Sequence, residues 1–132
     1  MAYLDYTPAK PNGHSVVLLH GKNFCAATWH DTATLLQSIG FRVIAPDQVG
    51  FCKSSKPSAY AFSLQGLAEN THGLLASLRI SKATVIGHSM GGAATMYGSW
   101  AAQFGEGVEI VSLQLPGREV RLRFAVRIED RD

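Results

Sequence analysis

Apolar residues along the chain fall into short β-branched or aliphatic runs that alternate with longer stretches of helical spacing. Val16-Val17-Leu18-Leu19 is a run of the kind found in strands buried on both faces, and His20-Gly21 breaks it. From Thr28 to Ile39 the residues Trp29, Ala33, Leu35, Leu36 and Ile39 recur at helical intervals, with Gly40 placed as a C-cap. Arg42-Val43-Ile44-Ala45 predicts a second buried strand, stopped at Pro46-Asp47. A Gly-, Ser-, Lys- and Pro-rich loop then covers Gln48 to Ala59. Ser63 is placed to cap a helix reaching about Leu78, with Leu64, Leu67, Leu74, Leu75 and Leu78 on one side. Ala83-Thr84-Val85-Ile86 is a third strand, and Gly87 to Gly92 a sharp turn. A helix to about Phe104 and a last strand from Val108 to Leu115 complete the pattern. The residues before Asn12-Gly13 read as an irregular lead-in.

Alternating strands and helices predict an α/β fold: a partial doubly wound parallel sheet of about four strands with helices on both faces. The strand order does not follow from spacing. A fold of that kind leaves the last strand with a long apolar edge, at Leu113 and Leu115, through which two copies would self-associate.

Composition narrows the picture. The chain has 132 residues, 46% hydrophobic and 17% charged, as expected of one soluble globular domain. A net charge of +2 selects no class of partner. The arginines of the tail, Arg118, Arg121, Arg123, Arg127 and Arg131, alternate with Glu119, Glu129, Asp130 and Asp132. That mixture reads as a solvated face rather than a nucleic-acid patch. No stretch has the length of a membrane span and the amino terminus does not read as a signal peptide, so a cytoplasmic protein without membrane contact is expected. Cys25 and Cys52 lack metal-ligand or Cys-x-x-Cys spacing and are expected to be reduced thiols.

Candidate chemistry centres on Gly87-His88-Ser89-Met90-Gly91, between an apolar strand and a helix. A turn this sharp forces the serine into a strained backbone conformation and needs glycine on both sides. It presents the Ser89 hydroxyl above the sheet as a nucleophile, with the Met90 N–H beside it to stabilise negative charge on a substrate carbonyl oxygen. Glycine-rich turns also join strands to helices for packing alone; the strand before and Gly91-Gly92 after favour the chemical reading. The loop His20-Gly21-Lys22-Asn23 follows the first strand and lies at the same edge of an open α/β sheet. There the Lys22 N–H serves as a second oxyanion donor. Asn23, Phe24 and Trp29 are candidates for a pocket wall, although aromatic residues here fit a core equally well. His20 and His88 read as structural, and His14, His30 and His72 as solvated. No metal or cofactor is expected: the glycines near Ser89 lack Gly-x-Gly-x-x-Gly spacing.

These motifs resemble the α/β-hydrolase superfamily, in particular bacterial esterase-like and carbon–carbon-bond hydrolase-like members. The resemblance rests on His20-Gly21-Lys22-Asn23-Phe24, Ala45-Pro46-Asp47-Gln48-Val49-Gly50-Phe51 with Lys53-Ser54-Ser55-Lys56-Pro57, and Gly87 to Gly92, and covers residues 3 to about 92. It implies Ser89 as nucleophile, the Lys22 and Met90 amides as oxyanion hole, and a structural role for Asp47. A serine at the elbow implies ester or thioester chemistry on a small molecule. Cys52 departs from the pattern, standing where such sequences carry glycine, and strains the loop if the position needs positive φ.

The segment Val108 to Glu119, with Gln114-Leu115-Pro116-Gly117-Arg118-Glu119, resembles the amino-terminal region of type II thioesterases, a likeness extending over residues 93–123. In that family the segment precedes the elbow. The chain therefore reads as a single truncated or chimeric domain with a junction near residues 91–93. All five histidines lie before Ser89, whereas the triad order of this fold places the acid and then the histidine after it. Little or no turnover is expected of the chain alone. The alternative is a non-catalytic α/β module that binds a partner protein through an exposed sheet edge and its basic tail.

Overall fold

The computed structural model describes residues 1–92, 108–113 and 125–126. Its strands form one sheet in the order β1-β3-β2-β4-β5-β6. They are β1 (Tyr3–Tyr6), β2 (Ser15–Leu19), β3 (Arg42–Pro46), β4 (Ala83–His88), β5 (Val108–Leu113) and β6 (Ala125–Val126). Helix α1 (His30–Ser38) lies between β2 and β3 in the chain, and α2 (Leu64–Ser77) between β3 and β4. The third expected helix, reaching about Phe104, lies outside the described residues, as do Leu115, residues 114–124 and the charged tail from 127.

Strands β3, β2, β4 and β5 run parallel, as the pattern predicts. The sheet is nevertheless mixed, because β1 pairs antiparallel with β3 and β6 antiparallel with β5. The lead-in is thus a strand. Its side chains are mostly exposed, so it has no apolar run to reveal it. Main-chain pairing from Tyr3↔Pro46 to Tyr6↔Val43 holds it, and so does the Asp5–Arg42 ion pair at 2.8 Å. Hydrogen bonding to Asp5 raises the Arg42 guanidinium above its usual value, against the opposing effect of burial. Among the described residues, Ile110 registers with Val126 of β6 and Val111 with Ala125.

Successive side chains on a strand point to opposite faces, and β2 divides its residues accordingly. Val17 and Leu19 join Ile44, Val85 and the α2 residues Leu67, Ala68 and Leu75 in one core. Val16 and Leu18 join Val43, Ala45, Ala26 and Ala33 of α1 in the other. The leucines expected on one side of α2 lie there: Leu64, Leu74 and Leu78 pack against the first core. Ser63 caps that helix, its hydroxyl accepting from the Gly66 N–H at 2.9 Å.

Helix α1 is shorter than expected, since Ala26–Trp29 form a 3-10 turn before it. Trp29, Ala33 and Leu36 face the core, whereas Leu35 and Ile39 are 65% and 60% exposed. At about 100° per residue, Leu35 and Ile39 are rotated by roughly a quarter turn or more from that stripe. Gly40 ends the helix with φ +101, as a C-cap glycine does. No helix among the described residues is long and apolar enough to cross a membrane.

Candidate active site

The chain leaves β2 for β3 on one side, then returns past β2 to place β4 on its other side. Ligands of open α/β sheets bind where this reversal opens a crevice beyond the carboxyl ends of the strands. Here that point lies between the ends of β2 and β4, where Leu19 registers with Gly87. The two segments that continue from those ends are His20–Phe24 and Ser89–Gly92.

Ser89 opens a 3-10 turn directly after β4 and has φ +54. A residue with a side chain enters this left-handed region only under constraint. The constraint is visible at Gly91, where a Cβ would come within 2.5 Å of the Leu19 carbonyl oxygen and 2.8 Å of Leu19 Cβ. The turn therefore packs its backbone directly on the end of β2. Ser89 itself is exposed, and Met90 is half-buried against the α2-side core.

The β2 loop approaches the same turn. A Cβ on Gly21 would lie 2.9 Å from His88 Nδ1 and 3.2 Å from Ser89 Cβ. Only glycine allows that approach without displacing the elbow. The loop then tightens, with the Phe24 N–H donating to the Gly21 carbonyl at 3.1 Å and Asn23 at φ +67. Lys22 and Asn23 are exposed. Phe24, 47% exposed, sets its ring edge-to-face on His88 with centroids 5.7 Å apart. The structure thus gathers Ser89, Met90, Gly21 and Phe24 around one turn.

Trp29 sits elsewhere. It packs against the α1-side core, and its indole Nε1 is buried with no hydrogen-bond partner among the described residues.

His20 is structural. It is 1% exposed, its Nδ1 lies 2.9 Å from the Gly21 carbonyl oxygen, and its Nε2 accepts the Gln48 N–H at 2.9 Å. Those bonds fix a neutral tautomer with the proton on Nδ1. Gln48 continues inward, donating from Nε2 to Thr71 Oγ1 at 3.1 Å, so a buried polar chain links the β2 loop to α2. His14 and His30 are exposed; His30 Nδ1 meets the Tyr6 hydroxyl at 3.1 Å. His72 is half-buried and also engaged.

Asp47 is likewise structural. It is 5% exposed, and its two carboxylate oxygens accept from the Ala26 N–H at 2.8 Å and the Lys53 N–H at 3.1 Å. It ties the loop after β2 to the loop after β3. The cysteines complete this tie and correct the expectation of free thiols, since Cys25 and Cys52 are joined in a disulfide with Cα atoms 5.8 Å apart. Cys52 has φ +45, the strained value expected where a glycine is replaced. Sequence spacing missed the bond because it compares positions within one segment. The usable signal lay in the fold: the two cysteines stand at matching distances past the ends of neighbouring parallel strands.

The sequence pattern of the alpha/beta hydrolase fold family matches residues 14–108. A probable hydrolytic enzyme from Pseudomonas aeruginosa is 53% identical, with a TM-score of 0.76 over 83% of this chain and 35% of that one. A carboxylesterase structure from the ammonia-oxidising thaumarchaeon Nitrososphaera gargenis is 30% identical, with a TM-score of 0.74 over 90% of this chain and 43% of that one. An AB hydrolase superfamily protein of Bacillus subtilis is 38% identical over 64% of this chain and 30% of its own length. The chain spans about 30% of the length of the curated relatives it matches.

Proposed function

The chain belongs to the alpha/beta hydrolase fold family, and from that premise we propose that it carries the nucleophile portion of a serine hydrolase acting on a small carboxylic ester or thioester. Ser89 is the nucleophile, and the main-chain N–H groups of Lys22 and Met90 form the oxyanion hole. The observation that carries this reading is the backbone of Ser89, held at φ +54 by the packing of Gly91 on Leu19 and flanked by Gly21. Strain of this kind persists where the surroundings impose it, and it clusters at reactive positions.

In the reaction, Ser89 Oγ forms a bond to the acyl carbon as its proton passes to a base. The carbonyl π electrons move onto oxygen, where the two N–H groups would stabilise them. Collapse expels the alcohol or thiol with a proton and leaves an acyl-serine that water hydrolyses. A serine rather than a carboxylate at the elbow favours acyl transfer over epoxide opening, in keeping with the likeness to a carboxylesterase.

No histidine after Ser89 in these 132 residues supplies that base. All five histidines of the chain precede Ser89, and the nearest, His88, packs on Phe24. Without a positioned imidazole the hydroxyl is a weak nucleophile, and loss of one triad member costs about four orders of magnitude or more in turnover. The chain alone therefore has little or no activity.

A fluorophosphonate probe tests the reading directly. Slow covalent labelling at Ser89, abolished in Ser89→Ala and accelerated by added imidazole, is expected. Labelling spread over other serines, or none with a folded protein and imidazole present, would overturn it and leave a non-catalytic binding module.

A further inference from the structure

The loops that follow β2 and β3 are joined by a charge-assisted bridge and a covalent one. Asp47 accepts from Ala26 on one side and Lys53 on the other, and the Cys25–Cys52 disulfide spans the same gap. Cys25 directly follows Phe24, the residue that closes the turn on Gly21 beside Ser89. The sulfur and carboxylate atoms of Cys25, Cys52 and Asp47 lie within 4.8 Å of one another. They are nevertheless a clip rather than a cation site, because the sulfurs are bonded to each other and both carboxylate oxygens already accept main-chain N–H groups. Both cysteines are half-buried rather than enclosed, which leaves the bond open to solution thiols.

We propose that the Cys25–Cys52 disulfide is a redox-operated positioning element: closed, it holds the Gly21–Phe24 loop beside Ser89, and opened by thiols, it lets that loop move away. The proposal rests on the reading of this loop as part of the oxyanion hole. Two residues with side chains, Asn23 at φ +67 and Cys52 at φ +45, hold left-handed backbone on either side of the clip. Such conformations persist only where the surroundings impose them, and the disulfide is one of those constraints. Oxyanion donors act through a geometry that a shift of about 1 Å destroys.

The exchange is balanced. A thiolate attacks one sulfur, forms a mixed disulfide and releases the other cysteine as thiolate. A second thiol then displaces the mixed disulfide. Two external thiols become one external disulfide, and Cys25 and Cys52 each gain a hydrogen. Oxidised glutathione reverses the process and serves as oxidant.

The experiment compares the chain treated with oxidised glutathione and with dithiothreitol. Peptide mass mapping without reductant is expected to recover a linked species containing Cys25 and Cys52; its absence overturns the proposal. Amide hydrogen exchange at Phe24, Ala26 and Lys53 is expected to rise about ten-fold on reduction, while Val17 and Val85 in the sheet stay unchanged. Cys25→Ser should exchange at the fast rate in both conditions. Equal rates in both states, or a rise at Val17 and Val85 as well, overturn a local clip. Fluorophosphonate labelling of Ser89 should fall about five-fold on reduction and return on reoxidation, because displaced donors no longer stabilise the developing charge. Labelling that ignores the redox state while exchange responds overturns the role at the site. No labelling in either state, with exchange still responding, overturns the serine-hydrolase reading and leaves the clip.

Discussion

Gly91 rests on Leu19 so closely that a single added carbon would stand 2.5 Å from the Leu19 carbonyl oxygen. The contact joins the turn after β4 to the end of β2, and neither backbone has room to give. Gly91→Ala is therefore expected to cost about 3 kcal/mol or more, by overpacking against main chain rather than against a yielding side chain. Urea denaturation measures it. A loss under about 1 kcal/mol would show that the elbow shifts readily.

Ser89 carries the opposite signature, a side chain where the backbone favours none. Ser89→Gly relieves the left-handed strain and is expected to be about 1 kcal/mol more stable than Ser89→Ala, which retains it. Thermal or urea unfolding of the two variants, side by side, checks the sign. Equal stabilities would mean that φ +54 is not under tension.

The bridge between the β2 and β3 loops should show in stability as well as in exchange. Closing the 27-residue separation between Cys25 and Cys52 restricts the unfolded chain by about 3.5 kcal/mol in the loop-entropy picture. Cys25→Ser should lose that amount under oxidising conditions and almost nothing in dithiothreitol. Asp47→Asn removes one of two acceptors for main-chain N–H groups, that of Ala26 buried and that of Lys53 part-buried, and should cost about 1–3 kcal/mol in either condition. An Asp47→Asn loss that vanished on reduction would show that the carboxylate acts only through the disulfide.

Trp29 packs against the α1-side core, and its buried N–H meets no acceptor among the described residues. Trp29→Phe keeps most of the ring and removes the unpaired donor, so it should cost less than about 1 kcal/mol, against about 3–5 kcal/mol for Trp29→Ala. On the outer face of the following helix, Leu35→Lys should change stability by no more than about 0.5 kcal/mol. Folded-state thermal midpoints read both; a large loss at Leu35 would place it in a buried contact.

What the chain shows of this fold without coordinates is uneven for physical reasons. Strands buried on both faces, such as β2 and β3, announce themselves as unbroken apolar runs, and the Ser63 cap and Gly40 terminus carry their own local chemistry. Tyr3–Tyr6 escapes notice because an edge strand held by main-chain pairing needs no apolar period. Leu35 and Ile39 mislead because helical spacing alone does not fix which side faces the sheet. The Ser89 turn is legible since its glycines are local requirements. The Cys25–Cys52 bond is not, because it depends on β2 and β3 being neighbours.

The position of β4 also governs the order in which the molecule can be assembled. Val16 registers with Thr84, so β2 can acquire its second neighbour only after β3 and α2 have been synthesised and a long loop has closed. In the interval one side of Val16–Leu19, the most apolar ribbon of the sheet, lacks its partner strand. A nascent chain is then at its most adhesive toward other copies, and slowing translation between β3 and β4 should lower the yield of monomeric protein.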